Sequence, residues 1–300
     1  MRFRLLLCLL FCALALNVQA AQDVLVIGKV SSNPKKHYRY LKPMADYAVS
    51  KMGDLGIKRA KVLMARNNKQ MIGYLRSGKV DWVTETIFNA LIFQKKAKAQ
   101  FILRKWKKGV PEYHTVFFTR KDSGINTLAQ LKGKVIAFED PGSSTAFFLP
   151  AMALLQTNLE LLELGSPREQ APKDRVGYVF SRQEINTSTW VHKGLVNAGA
   201  YNNLDWEKED HNPGLFRKDM QIIYQTKPYP RAIELVRKDL DAVIVQRLKE
   251  VLLNAHNDPD ASAALRAYQK TTKFDELTPD ILMKLDNARN VLQQVQDSLN

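Results

Sequence analysis

Apolar and polar positions alternate along this chain in blocks that switch between two periods. A short apolar run, Val24-Leu25-Val26-Ile27-Gly28, predicts a strand, and the polar loop Ser31-Ser32-Asn33-Pro34 follows it. From His37 to Met52, apolar or aromatic residues recur at Tyr38, Leu41, Ala45, Ala48, Val49 and Met52, which is helical spacing. The same alternation continues with strands over 61–65, 80–83 and 100–106 and helices over 67–76 and 88–96. This β-α-β-α-β-α-β order is that of a parallel sheet covered by helices. The β-rich segment 113–119 predicts a crossing strand, and 127–133 a short helix stopped by glycine. A second β-α block follows: strands over 134–138, 176–180 and 195–200, helices over 146–155 and 186–193, and a polar loop over 165–175. Beyond Asn212-Pro213-Gly214 we expect one more strand, 220–225, and a turn at Tyr229-Pro230. Helices are then expected over 231–237, 240–254, 260–267 and 279–299.

The N-terminus stands outside this pattern. Arg2 and Arg4 precede the apolar stretch Leu5 to Leu16, and Val18-Gln19-Ala20 has the small-x-small form of a signal-peptidase site. Residues 1–20 therefore read as a cleaved signal peptide, and the apolar run is short for a membrane span. Both cysteines, Cys8 and Cys12, lie in that signal, so disulfides, thiolate catalysis and cysteine-bound metal are not expected in the mature chain. Loss of Arg2 and Arg4 takes the formal charge from +15 to +13. That field favours an anionic ligand or surface, although lysine-rich helix faces alone would also produce it. Nucleic acid is not an expected partner of an exported chain without basic-aromatic signatures.

One stretch carries more chemistry than the rest. Strand 134–138 runs through Glu139-Asp140-Pro141-Gly142 into Ser143, Ser144 and Thr145, directly ahead of the apolar helix. Free N–H groups, the positive end of the helix dipole and three hydroxyls converge there, which makes an anion site. Ordinary N-capping needs one hydroxyl, not three. No catalytic centre is legible: His37, His114, His192, His211 and His256 show no metal-ligand spacing, and there is no nucleophile elbow, Walker A or dinucleotide fingerprint. We therefore expect no enzyme, no metal and no cofactor.

Several stretches resemble the phosphate/phosphite/phosphonate-type substrate-binding proteins of ABC transporters, which have the type 2 periplasmic binding protein fold. They are Tyr113 to Ile125, Leu128 to Asp140 ("LAQLKGKVIAFED"), Pro141-Gly142-Ser143-Ser144-Thr145 leading to Phe148-Leu149-Pro150, Gly194 to Gly199 ("GLVNAG"), and Lys227 to Leu240 ("KPYPRAIELVRKDL"). The resemblance implies an α/β fold of two lobes, each a mainly parallel sheet flanked by helices, hinged by two crossing strands. Lobe one would hold residues 21–117 and 215–300, and lobe two residues 118–214. It implies that Ser143, Ser144 and Thr145 hold an oxyanion (a phosphonate, phosphite or phosphate-like group) delivered to an ABC permease and its ATPase. The alternative partner is a membrane sensor kinase or cyclase. A periplasmic monomer is expected.

Lobe one should present Glu85 and Thr86, and Tyr38 from the loop Ser31 to Tyr38, to the cleft, since both loops follow strand C-termini. Glu85 reads either as a solvated loop acid or as a partner for a ligand amine or phosphonic O–H. Tyr113 should lie near the hinge. In lobe two the family's Gly-Ser-His is replaced by Ser181-Arg182-Gln183-Glu184, and its Asp-Ala-Gly by Asn197-Ala198-Gly199. Arg182 is a candidate bidentate anion contact and equally an ordinary surface arginine. Asn202 is a candidate ligand hydrogen-bonder and equally a turn residue.

Overall fold

The computed structural model describes residues 22–31 and 33–297; the expected signal peptide lies outside them. Fourteen strands run in chain order: β1 Val24–Val30, β2 Arg59–Ala65, β3 Trp82–Glu85, β4 Gln100–Lys105, β5 Glu112–Tyr113, β6 Thr115–Arg120 and β7 Val135–Phe138. Then come β8 Leu161–Glu163, β9 Val176–Phe180, β10 Ala198–Asn202, β11 Met220–Gln225, β12 Tyr229–Pro230, β13 Ile233–Val236 and β14 Phe274–Asp275. They form two six-stranded sheets, ordered β14-β4-β13-β3-β1-β2 and β11-β6-β10-β7-β9-β8. The first sheet is parallel except for β13 and β14. In the second, β6 alone runs against its neighbours. Helices cover both, so this is the two-sheet α/β architecture expected.

The two sheets are joined twice, through β4-β5-β6 and through β11-β12-β13. The connections pair with each other where Tyr229 faces Tyr113 and Pro230 faces Glu112. Tyr229-Pro230, expected as a turn, is thus a short strand. Proline is admissible there because an edge position asks for no N–H.

The segment 231–237 corrects the sequence reading most plainly. It was expected as helix; residues Ile233–Val236 form β13, inserted between β3 and β4 with all four residues buried. A fully buried central strand needs no alternation, so periodicity says little about it. Glu234 looks like a polar helix face in sequence. It is wholly buried, accepting from Trp82 Nε1 (2.6 Å) and Tyr268 Oη (3.0 Å) and standing 3.7 Å from Lys105 Nζ. Likewise Met220–Gln225 was grouped with lobe one, but β11 pairs with β6 in the second sheet. The chain therefore returns to the first sheet only at β12 and β13. Strand β8, between the expected helix 146–155 and the expected loop 165–175, has no counterpart in the sequence reading, because three residues are too short to show a period.

The helix after β7 begins with a widened turn over Ser144–Phe148, in which the Phe148 N–H reaches back to Ser143 O (3.0 Å). Pro150 explains part of it. Proline has no N–H for the Ala146 carbonyl, which instead accepts from Glu139 N–H at 3.0 Å. That bond tucks the helix start against the end of β7. At the adjacent β10, a Cβ on Gly199 would lie 2.6 Å from Phe118 and 2.8 Å from Thr187, so glycine lets the helix Glu184–His192 seat against the sheet.

One apolar core crosses the gap between the sheets. Phe88, from the helix Ile87–Ala97 beside the first sheet, stacks on Phe148 beside the second, with ring centroids 4.7 Å apart. The core continues through Phe147, Phe138 and Tyr178 on one side and Leu91, Ile233 and Leu235 on the other. The C-terminal helices Pro279–Asn290 and Leu292–Asp297 join it through Ile281, Leu285, Leu292 and Val295.

Candidate functional site

A cavity of ≈ 580 Å³ opens between the two sheets, bounded on one side by the connection around Tyr113. Of the nine residues expected at the site, seven line it: Ser143, Ser144, Thr145, Glu85, Thr86, Tyr113 and Asn202. The other two do not. Tyr38 is 46% exposed on the helix Pro34–Ser50, and Lys36 of that helix faces the cavity in its stead. Arg182 is exposed at φ +71, its N–H donating to Glu139 O (2.8 Å) and its guanidinium beside the Phe180 ring. Arg182 is not among the residues lining the cavity.

The Ser-Ser-Thr segment divides its work. Ser143 caps the helix, its Oγ accepting from Ala146 N–H at 3.2 Å. Ser144 Oγ, buried, accepts from the Phe88 N–H (3.0 Å), the first turn of the helix Ile87–Ala97. The two helix starts therefore meet at this serine, one from each sheet. The Thr145 carbonyl accepts from Thr115 Oγ1 (2.7 Å). Burial pushes the Tyr113 phenol up to about 12, so it stays protonated.

Glu85 is neither solvated nor unpaired. It is 5% exposed, bonded to Lys29 Nζ at 2.9 Å and to Asn89 Nδ2 at 3.3 Å. Its charge is thereby neutralised before any ligand arrives. Asn202 caps the short helix Asn203–Trp206, accepting from Asp205 N–H (3.0 Å) while its amide donates to the Asp205 carboxylate. Asn203 accepts from His114 N–H (3.1 Å), a structural contact.

Sequence reasoning did not single out the remaining lining residues. Lys107 and Lys108 follow β4, and Arg231 precedes β13, with its guanidinium donating to Lys107 O at 2.8 Å. Burial, then the charges of Lys105, Lys29 and Arg231, bring the Lys107 ammonium down to about 7. Across the cavity stand Glu139, Asp140, Glu184, Asp205, Lys208 and His211. Burial first, and then the carboxylate of Glu184, push Glu139 up to about 8. Its neighbour in sequence is the anion motif itself, which was the one available signal. The lysines and Arg231 carried none, because their proximity arises from two distant crossings of the chain.

This arrangement can hold an anion at converging hydroxyls and a helix start, with ammonium and guanidinium groups facing it.

The comparisons agree with the geometry. Residues 30–282 match the family described as "ABC transporter, phosphonate, periplasmic substrate-binding protein". The chain is similar to XAC2383 from Xanthomonas citri, solved bound to ATP, at 38% identity and TM-score 0.86 over 93% of this chain and 100% of that one. At 18% identity it shares its fold with PhnD1 from Prochlorococcus marinus in complex with methylphosphonate, TM-score 0.63, covering 91% and 99%. It likewise shares its fold with the aliphatic sulphonate binding protein SsuA from Escherichia coli, at 15% identity and TM-score 0.55, covering 93% and 89%. With the family matched over most of its length and the two-sheet cleft in place, the chain belongs to the phosphonate-type periplasmic substrate-binding proteins of ABC transporters.

Proposed function

We propose that this solute-binding protein closes two lobes on a phosphorus oxyanion that carries an organic remainder, and presents it as a monomer to an ABC permease. Residues 1–20 are the cleaved export signal in this reading. The supporting observation is the opposition of Ser143, Ser144 and Thr145 to Lys36, Lys107, Lys108 and Arg231 across one cavity. Hydroxyls and helix amides supply directional donors, and the cations supply charge that a dry pocket makes stronger than in water. Lobe closure about the paired β5 and β12 brings both sets onto one ligand. At ≈ 580 Å³ the cavity exceeds what inorganic phosphate needs and falls within the range of small-molecule sites. A phosphonate or phosphate monoester, up to the size of the nucleotide found on the Xanthomonas relative, suits it better.

The test is isothermal titration of mature protein, stripped of ligand by unfolding and refolding. The panel is phosphate, phosphite, methylphosphonate, 2-aminoethylphosphonate, ATP and sulfate. Micromolar or tighter binding of one phosphorus compound, weakened in Ser144→Ala, is the expected result. Silence across the panel from folded protein would overturn the phosphorus assignment.

A further inference from the structure

The second-sheet wall of the cavity is chemically odd for an anion site. It brings the carboxylates of Glu139, Asp140, Glu184 and Asp205 to the same space that receives the oxyanion donors. Burial, and only after it the carboxylate of Glu184, raises Glu139 to about 8. Three groups on this wall have donor atoms that all lie within 4.8 Å of one another: Glu184, Asp205 and His211. They come from three separate pieces of chain: the first turn of the helix Glu184–His192, the helix Asn203–Trp206, and the loop beyond it. Among the described residues this is the only grouping of that kind.

Three details distinguish it from a cluster of surface acids. Asp205 is 7% exposed. His211 Nδ1 is closed off from solvent and makes no hydrogen bond, although it stands 3.0 Å from Asp205 Oδ1. Two donor atoms at that separation, unaligned as a hydrogen bond, suit a shared cation, whose ligands at ~2.1 Å lie roughly 3–3.5 Å apart. The carboxylate of Glu184 takes no hydrogen bond or ion pair from another described residue, and one of its oxygens lies within 4.8 Å of both other donor atoms.

We propose that Glu184, Asp205 and His211 form a divalent-cation site on the cavity wall, taking a borderline ion such as Zn²⁺ through one imidazole and two carboxylates. Three protein ligands leave a coordination position open toward the cavity. An oxyanion oxygen fills that position, so cation and anion are captured together. The metal site stands on its own three residues; its coupling to the anion rests on the oxyanion reading above. Coupling is reciprocal, so each must raise the affinity of the other by the same factor. Lys208 is the built-in competitor. Its ammonium donates to Asp205 Oδ1, the same oxygen that a cation would take. Lysine and metal therefore exclude one another, and the lysine neutralises the wall when no ion is bound.

The experiment titrates Zn²⁺ into EDTA-treated, tag-free mature protein by calorimetry, then repeats the oxyanion titrations with and without Zn²⁺. One Zn²⁺ per chain is expected, weakened at least about tenfold in His211→Gln, since loss of even an outer-shell partner costs about that much. Lys208→Gln should bind Zn²⁺ more tightly than wild type, an outcome that misfolding does not produce. Ser144→Ala should leave Zn²⁺ affinity unchanged. Methylphosphonate should bind more tightly with Zn²⁺ present. Absence of Zn²⁺ binding, or Zn²⁺ affinity indifferent to both His211→Gln and Lys208→Gln, overturns the site. Metal-free preference for 2-aminoethylphosphonate over methylphosphonate, lost in Asp205→Asn, overturns it too, because a ligand ammonium then occupies the acidic wall. Zn²⁺ binding with every oxyanion silent overturns the oxyanion reading and the coupling while the metal site stands. Metal-free oxyanion binding without Zn²⁺ binding does the reverse.

Discussion

The two walls of the cavity carry opposite chemistry. The wall built from the first sheet and its connections presents Lys36, Lys107, Lys108 and Arg231, and its one acid, Glu85, is already tied to Lys29. The wall built from the second sheet presents Glu139, Asp140, Glu184 and Asp205 against Lys208 and His211, yet it also holds the three hydroxyls. Directional donors and compensating charge therefore sit on different lobes. Neither wall alone is a good anion site: one has charge without a shaped cradle, the other a cradle in an acidic setting. On the proposed function, this division would make tight capture depend on closure, which a binding protein needs if its partner is to sense occupancy. It also accounts for Ser144, whose hydroxyl ties the two helix starts together by accepting from Phe88 N–H.

The largest effect should come from stripping charge from the first wall. Lys107→Ala combined with Lys108→Ala is expected to weaken the best oxyanion about a hundredfold, at about 1.5 kcal/mol for each lost charged contact. A change below threefold, by calorimetry, would mean that the charge comes from elsewhere. Removing one donor from the cradle should cost less: Ser144→Ala is expected to lose about tenfold, combining a lost contact with a looser junction at Phe88.

Acidity provides a third handle, and both groups act in the same direction. Lys107 loses its positive charge as pH rises through about 7, and Glu139 gains a negative charge as pH rises through about 8. Oxyanion affinity should fall severalfold from neutral to alkaline pH. Glu139→Gln should keep the Lys107 step and abolish the one near 8. A profile unchanged by that substitution would place Glu139 out of reach of the ligand. The smallest effects are assigned to Tyr38→Ala and Arg182→Ala, both outside the cavity, each expected to change affinity less than about twofold, the range of an exposed side chain. A tenfold loss in Arg182→Ala would require the ligand-bound lobe two to differ from the geometry seen here.

Much of this was legible because local rules carried it. The helix start at Ser143 to Thr145 follows from turn chemistry, capping and an apolar run, all within about ten residues. The same holds for Thr86, expected at the cleft from its place after a strand and found lining the cavity at the N-cap position of the helix Ile87–Ala97. Tyr38 failed for a local reason as well. The loop was placed correctly, but the helix begins at Pro34, three residues before the expected His37, and the rotation puts Lys36 inward and Tyr38 outward. Arg182 failed because a positive φ cannot be read from an arginine. The histidines were set aside because their spacing shows no metal pattern, and His211 gains meaning only when two other segments arrive beside it.

The sequence by itself determined the alternation of strands and helices, the expectation of export and the hydroxyl-rich helix start at Ser143 to Thr145. Each depends on residues close along the chain, where spacing and side-chain type act directly. Tertiary structure alone decided that Ile233–Val236 is a central strand, that Glu234 and Lys105 share a buried network, and that Arg231 meets Lys107 over the cradle. Those outcomes depend on which strand fills the gap between β3 and β4 and on two crossings between sheets. Contacts between segments over a hundred residues apart leave no period in the chain, and burial on both faces removes the alternation that would have marked the strand.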